Sequence, residues 1–150
     1  MQGEESVENR EVINDVLVHL FNEIMELEEQ AIITEEYKDI TNNDMHIIEA
    51  IGIEEPRNMS TVAKSLSVTV GTLTIAVNSL VKKGYVKRAR SEEDRRVVLL
   101  SLPEKGRRAY RHHAQFHKQM VEAVMQNMTE EELSVLVRAL QNLSAFFRKF

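Results

Sequence analysis

Between Ser60 and Leu102 the hydrophobic pattern changes period, and nothing else in the chain constrains its fold as tightly. Val62, Ala63 and Leu66 are spaced for one short helix; Leu73, Ala76, Val77, Leu80 and Val81 are spaced for a second, starting at Thr69 or Val70. Ser60 is the expected cap of the first, and Gly84 the stop of the second. Tyr85-Val-Lys-Arg-Ala-Arg90 and Val97-Val-Leu-Leu-Ser-Leu102 are alternating or β-branched, as strands are, and polar Ser91-Glu-Glu-Asp-Arg-Arg96 joins them as a hairpin. Two short helices across a tight turn, followed by a hairpin, describe a winged helix-turn-helix.

The flanks are helical. Ile13, Val16, Leu17, Leu20, Ile24 and Leu27 predict a helix over 7–33, with Glu-rich outer faces. Thr41 to Asn43 offer caps for a helix carrying Met45, Ile47, Ile48 and Ile51, which Gly52 and Pro56 end. Pro103 fits the first turn of a long helix reaching about Asn127. Thr129 and Glu132 form a capping box for the last helix, with Leu133, Leu136, Val137, Leu140, Leu143 and Phe147. The fold class is therefore mainly α: one domain over 1–150, a winged lobe over 41–102, and long flanking helices over 7–33 and 104–150. The flanks are too apolar for one lobe of this size to cover, which predicts that they form a homodimer interface with two-fold symmetry. A self-contained helical cap is the alternative.

The formal charge of −5 argues against a nucleic-acid partner only until it is divided. Arg57 to Arg111 holds thirteen basic and four acidic residues, a local balance of +9, against −14 for the remainder. A basic middle between acidic ends suits polyanion binding better than it suits an ordinary solvated face. On the second short helix, Thr69, Thr72, Thr74 and Asn78 offer short donors and acceptors for phosphates and base edges, and Gly71 admits a close backbone approach. Ser60 and Thr61, at the head of the first, join this candidate set. Val62, Leu66, Val68 and Leu73 are the expected core between the two helices, and Ala63 the small residue at their crossing; Ser67 stands where many such turns have Gly. Arg88, Arg90, Arg95 and Arg96 crowd the hairpin, as a minor-groove probe requires, and Asp94 is placed to brace Arg96 or Arg90 through a bidentate contact. The competing readings are a plain helical hairpin, a solvent-facing Thr-rich helix and a weak surface ion pair.

Leu80-Val-Lys-Lys-Gly-Tyr-Val-Lys-Arg88 and Ser91-Glu-Glu-Asp-Arg-Arg-Val-Val-Leu-Leu-Ser-Leu-Pro-Glu-Lys-Gly106 resemble the wing signature of the MarR family of bacterial transcriptional regulators. The resemblance runs over nearly the whole chain. It implies a homodimer whose first and last two helices interlock, and two winged lobes that read palindromic double-stranded DNA. It places Thr69, Thr72, Thr74 and Asn78 on the major-groove helix, and matches Asp94 and Arg96 to the family's Asp-x-Arg, with Arg96 in the minor groove. Pro103 departs from it, since the family often has Thr there. Tyr37-Lys-Asp-Ile-Thr41, Asp44-Met-His46, Val70-Gly-Thr-Leu-Thr74 and Phe116-His-Lys-x-Met120 resemble the fatty-acid-synthesis repressor branch, of FabT type. Members of that branch bind operators before fatty-acid-synthesis genes, more tightly with a long-chain acyl-acyl carrier protein as corepressor. In the acyl-binding reading, the helix faces predict that His46, His113 and His117 edge a tunnel lined by Leu20, Ile24, Phe116 and Met120.

His113 and His117 are also spaced one helical turn apart, as zinc ligands can be, and some MarR proteins are zinc sensors with His in this helix. With His46 they form the alternative metal set, for which Glu28 or Glu49 would have to supply a carboxylate; internally bonded histidines are the favoured reading. Lys105, Arg107, Arg108 and Arg111 suit DNA phosphates, an acidic carrier protein or plain solvation equally. No Gly-rich phosphate loop or nucleophile elbow is present, so neither an enzyme nor a resident cofactor is expected. A winged-helix module that binds protein would not need the Arg-rich hairpin. The absence of Cys removes disulfides, thiolate catalysis and thiol redox sensing. An acidic start and the lack of a long apolar run predict a cytoplasmic protein with no membrane partner.

Overall fold

The computed structural model describes residues 2–32, 34 and 36–150, so Met1 and Ile33, at the ends of two predicted segments, lie outside the described residues. The chain divides into two units, one running to Ala114 and the other Gln115–Phe150.

In the first unit, helix α1 (Gln2–Asp15) leads through a π-helical turn (Val16–Leu20) into α2 (Phe21–Ile32). The predicted single helix thus starts earlier, at Gln2, and carries a π turn. Glu4 and Glu5 at its head complement the positive end of the helix dipole. Helix α3 (Asn42–Ile51) begins with the predicted cap: Thr41 Oγ1 accepts from the Asp44 amide, and Asp44 accepts from the Thr41 amide. It ends at Gly52, whose φ of 72° lies in the left-handed region.

The winged lobe follows. A two-residue strand β1 (Arg57–Asn58) precedes α4 (Met59–Ser65) and α5 (Val70–Lys82), and the chain turns through 105° between these helices. Asn58, not Ser60, caps α4: its Oδ1 accepts from the Thr61 amide at 2.7 Å, and Ser60 sits inside the first turn. Ser67 makes the tight turn with φ of 56°, and Thr69 caps α5. Strands β2 (Lys87–Arg90) and β3 (Val98–Ser101) pair antiparallel, with Arg88 opposite Leu100 and Arg90 opposite Val98. Strand β1 adds to the other edge of β3, giving the order β1-β3-β2. The predicted strands were each longer by a residue or two, and β1, at two residues, has no periodicity to reveal it.

The core of this unit joins Met45, Ile48 and Ile51 of α3 to Val62 and Ala63 of α4, Leu73, Val77 and Leu80 of α5, Tyr85, Leu100 and Ala109. Ala63 is buried at the crossing, and its carbonyl accepts from the Val68 amide. Val68 itself is 40% exposed and leaves the predicted core set, because the turn carries it outward; Leu66 is only partly buried. Helix α6 (Glu104–Gln126) begins in the first unit, with the Pro103 carbonyl accepting from the Arg107 amide. In the second unit, α7 (Glu130–Phe147) starts at the predicted capping box, Thr129 with Glu132. No residue of α7 is buried, and Val7, Val12, Ile13 and Phe21 of the first two helices are each more than half exposed. No single helix among the described residues is long and apolar enough to cross a membrane.

Candidate nucleic-acid interface

Helix α5 presents a polar face whose hydrogen bonds are partly made within the chain. Thr69 Oγ1 accepts from the Thr72 amide at 3.1 Å and donates to Thr72 Oγ1 at 2.9 Å. Thr74 Oγ1 donates to the Val70 carbonyl at 2.7 Å, so its oxygen is left to face outward as an acceptor. A Cβ on Gly71 would meet nothing nearer than Thr69 Oγ1 at 3.9 Å. Packing within the chain therefore does not require glycine at this position, whereas close approach of another molecule's backbone would.

The wing is built around one carboxylate. Asp94 accepts from Arg96 three times: Nε to Oδ1, Nη2 to Oδ2 and the backbone amide to Oδ1, each at 3.1 Å. The first two are the bidentate fork expected of a guanidinium on a carboxylate. This contact holds the Asp94 carboxyl below its ordinary range and raises the Arg96 guanidinium further above its own. The Asp94 carbonyl also accepts from Val97, and the Ser91 amide donates back to Val97, which closes the tip. Arg96 remains 91% exposed, so the brace aims a solvated cation outward instead of burying it. Arg90 does not share the carboxylate; its Nη1 donates to the Arg95 carbonyl at 2.8 Å. Arg88, on β2, donates from Nη1 to Asn78 Oδ1 on α5 and so ties the wing to the helix.

A cleft of about 750 Å³ lies between the head of α4, the start of α5 and the wing. Of the predicted interface residues it brings together Ser60, Thr74, Arg88, Arg90 and Arg96. Asn58 also lines it; by residue type Asn58 and Ser60 are equally good caps, and only geometry chooses between them. Thr72 lines a separate hollow of about 140 Å³ with His46 and Val68. Thr61, Thr69, Gly71, Asn78, Asp94 and Arg95 line neither; all but Asp94, which is half-buried, are exposed.

The histidines divide. His113 is buried, with Nε2 at 2.6 Å from Glu28 Oε1 and Nδ1 at 3.4 Å from Glu49 Oε2. His46 approaches the same Glu28 oxygen at 3.6 Å. Glu28, His46 and His113 thus offer metal-type donors, yet both ring nitrogens of His113 already face carboxylates. Of the predicted tunnel residues, Leu20 is 42% exposed and Ile24 half-buried. Phe116, His117 and Met120 belong to the second unit, where the Phe116 and His117 rings meet edge-on, 5.7 Å between centroids. At the start of α6 the basic side chains have partners within the chain: Lys105 with the Lys83 carbonyl, Arg107 with the Leu102 carbonyl, Arg108 with Glu36 and Arg111 with Glu104.

Residues 38–97 match the family model described as MarR family. A crystal structure of Streptococcus pneumoniae FabT in complex with DNA is 43% identical, with a TM-score of 0.88, over 93% of this chain and 98% of that one. The Lactococcus lactis transcriptional regulator ZitR is 29% identical over 112 residues, covering 73% of this chain and 77% of the relative. The Bacillus subtilis regulator PchR is 25% identical over 140 residues, covering 91% and 79%.

Proposed function

The chain belongs to the MarR family of transcriptional regulators, and we propose that it acts as a homodimeric repressor of fatty-acid-synthesis genes with long-chain acyl-acyl carrier protein as corepressor. The observation that carries this reading is the similarity, over nearly the whole of both chains, to a FabT crystallised on DNA. The local geometry agrees with the DNA half of it. A polar helix face, a wing stiffened by the Asp94–Arg96 fork and a cleft between them suit a duplex, with α5 in the major groove and Arg96 in the minor groove.

The dimer rests on the uncovered apolar side chains of α1, α2 and α7, which a second copy would bury. On this reading the segments 7–33 and 104–150 dimerise, and 41–102 is the reading lobe of a single 1–150 domain. Two such lobes meet palindromic half-sites about 34–36 Å apart. The corepressor acts by population: it binds the dimer whose α5 helices have the operator spacing better than it binds other forms. On this reading the acyl-contacting residues are Leu20, Ile24, His46 and His113 of the first unit and Phe116, His117 and Met120 of the second, and the protein works in the cytoplasm as a binding protein, not an enzyme.

One observation favours a second reading, zinc control: Glu28, His46 and His113 place a carboxylate and two imidazoles side by side. Operator affinity measured alone, with long-chain acyl carrier protein and with Zn²⁺ separates the two. Tightening with the acylated carrier alone supports the lipid reading, and tightening with zinc alone replaces it. No response to either removes both.

A further inference from the structure

We propose that Arg88 is a positioning residue for sequence reading: it orients the Asn78 side-chain amide so that Asn78 reads guanine. The inference rests on the DNA-reading role of α5 and goes beyond it by naming the base. A guanidinium has five N–H donors and no acceptor, so only the amide oxygen of Asn78 can face it. The Arg88 Nη1 to Asn78 Oδ1 contact therefore fixes the flip of the amide by chemistry, and turns the Nδ2 hydrogens away from the wing.

The consequence follows from the major-groove code. An unrestrained Asn pairs with adenine, because its oxygen accepts from N6 while its NH₂ donates to N7. Asn78 has one lone pair of its oxygen engaged by a charged donor, the stronger kind of hydrogen bond, and the adjacent guanidinium charge opposes a second donor such as adenine N6–H at the same oxygen. Guanine presents two adjacent acceptors, O6 and N7, and asks only for donors. The amide that Arg88 leaves outward has two. Both side chains are exposed. Strand β2 is held by its four-residue register with β3, and α5 by its buried Leu73, Val77 and Leu80, so the two groups sit on rigid elements. The bond uses one of the Arg88 donors, and the others remain for a phosphate.

The test begins with selection of the operator from a randomised duplex pool by the full-length protein. Affinities are then measured for duplexes in which each half-site base pair is replaced in turn by the three others. Wild type is expected to prefer guanine by about five- to ten-fold at one position per half-site. Asn78→Ala flattens that position and spares the rest. Arg88→Ala weakens all duplexes and, at that position alone, moves the preference from guanine toward adenine. The Asn78→Ala, Arg88→Ala double variant shows no gain for adenine. Circular dichroism and melting of each variant establish that it is folded. Arg88→Ala that lowers affinity for every duplex by the same factor makes Arg88 a phosphate contact and overturns the proposal, while α5 remains the reader. An adenine preference in the wild type, or unchanged specificity in Asn78→Ala, overturns it equally. A wild type that selects no duplex at all fails the DNA-reading assignment itself, and the proposal with it.

Discussion

Replacing Gly106 by alanine tests how the wing is seated on α6. An ideal Cβ at this position would lie 2.0 Å from the Tyr85 carbonyl oxygen, 3.1 Å from its carbonyl carbon and 3.3 Å from Leu102 Cβ. The first contact is more than an ångström too short, and its partner is backbone, which cannot swing aside. Tyr85 is fully buried, and its hydroxyl donates to Asp39 at 2.7 Å, so the segment leading into β2 is held from its other side as well. Overpacking of this kind costs about 3 kcal/mol or more, while alanine returns about 1 kcal/mol of helix propensity. The expected net loss is about 2 kcal/mol, a fall of roughly 4–8 °C in melting temperature for a chain of this length. Thermal and urea unfolding, followed by circular dichroism at fixed protomer concentration, measure it. Gly71→Ala is the paired control. It meets only an ordinary contact, so it should unfold at or slightly above the wild-type temperature while losing operator affinity. A Gly106→Ala protein as stable as wild type would refute the close approach of α6 to Tyr85, and with it the account of how the wing is anchored.

Arg96→Ala should weaken operator binding about ten-fold and lower the slope of log affinity against log salt by about one; Asp94→Ala should weaken it less, and tighter binding by Asp94→Ala would mean that the fork is no brace. Tyr85→Phe removes the bond to Asp39 and should cost about 1 kcal/mol near neutral pH. The Tyr85 hydroxyl, aided by Lys105, holds the Asp39 carboxyl below its ordinary value, so this contribution is in place above the carboxylate range and is lost as pH falls through the folded value. The wild type and Tyr85→Phe melting temperatures should therefore converge in acid. Ser67→Gly should stabilise by about 0.5–1 kcal/mol, because it relieves a left-handed backbone that only glycine adopts freely; a lower melting temperature would contradict this.

The features legible from residues alone share one property: they depend on neighbours in the chain. Helices α3 and α7 start where Thr41 and Thr129 place them, because a cap is satisfied by an amide three residues on. The Asp94–Arg96 brace was legible for the same reason, since its partners are two residues apart. The change of period between Ser60 and Leu102 was enough to name the winged lobe.

The rest was decided across long separations. Strand β1 exists because β3, some forty residues later, offers an edge, and that choice moves the cap of α4 from Ser60 to Asn58. Val68 has the character of a core residue, yet the left-handed Ser67 turns it toward solvent. By residue type the basic run at the start of α6 suits phosphates, an acidic carrier or plain solvation equally, and only the fold brings Glu36, Glu104 and two carbonyls to it. Glu28 meets His113 from 85 residues away, and Asn78 meets Arg88 from another element. Periodicity and caps are local physics, and they made the main helices, the two hairpin strands and the polar face of α5 legible from the residues. Which polar atoms on that face are already engaged depends on the folded chain, because a hydrogen-bond partner is chosen by distance in space and not by distance along the chain.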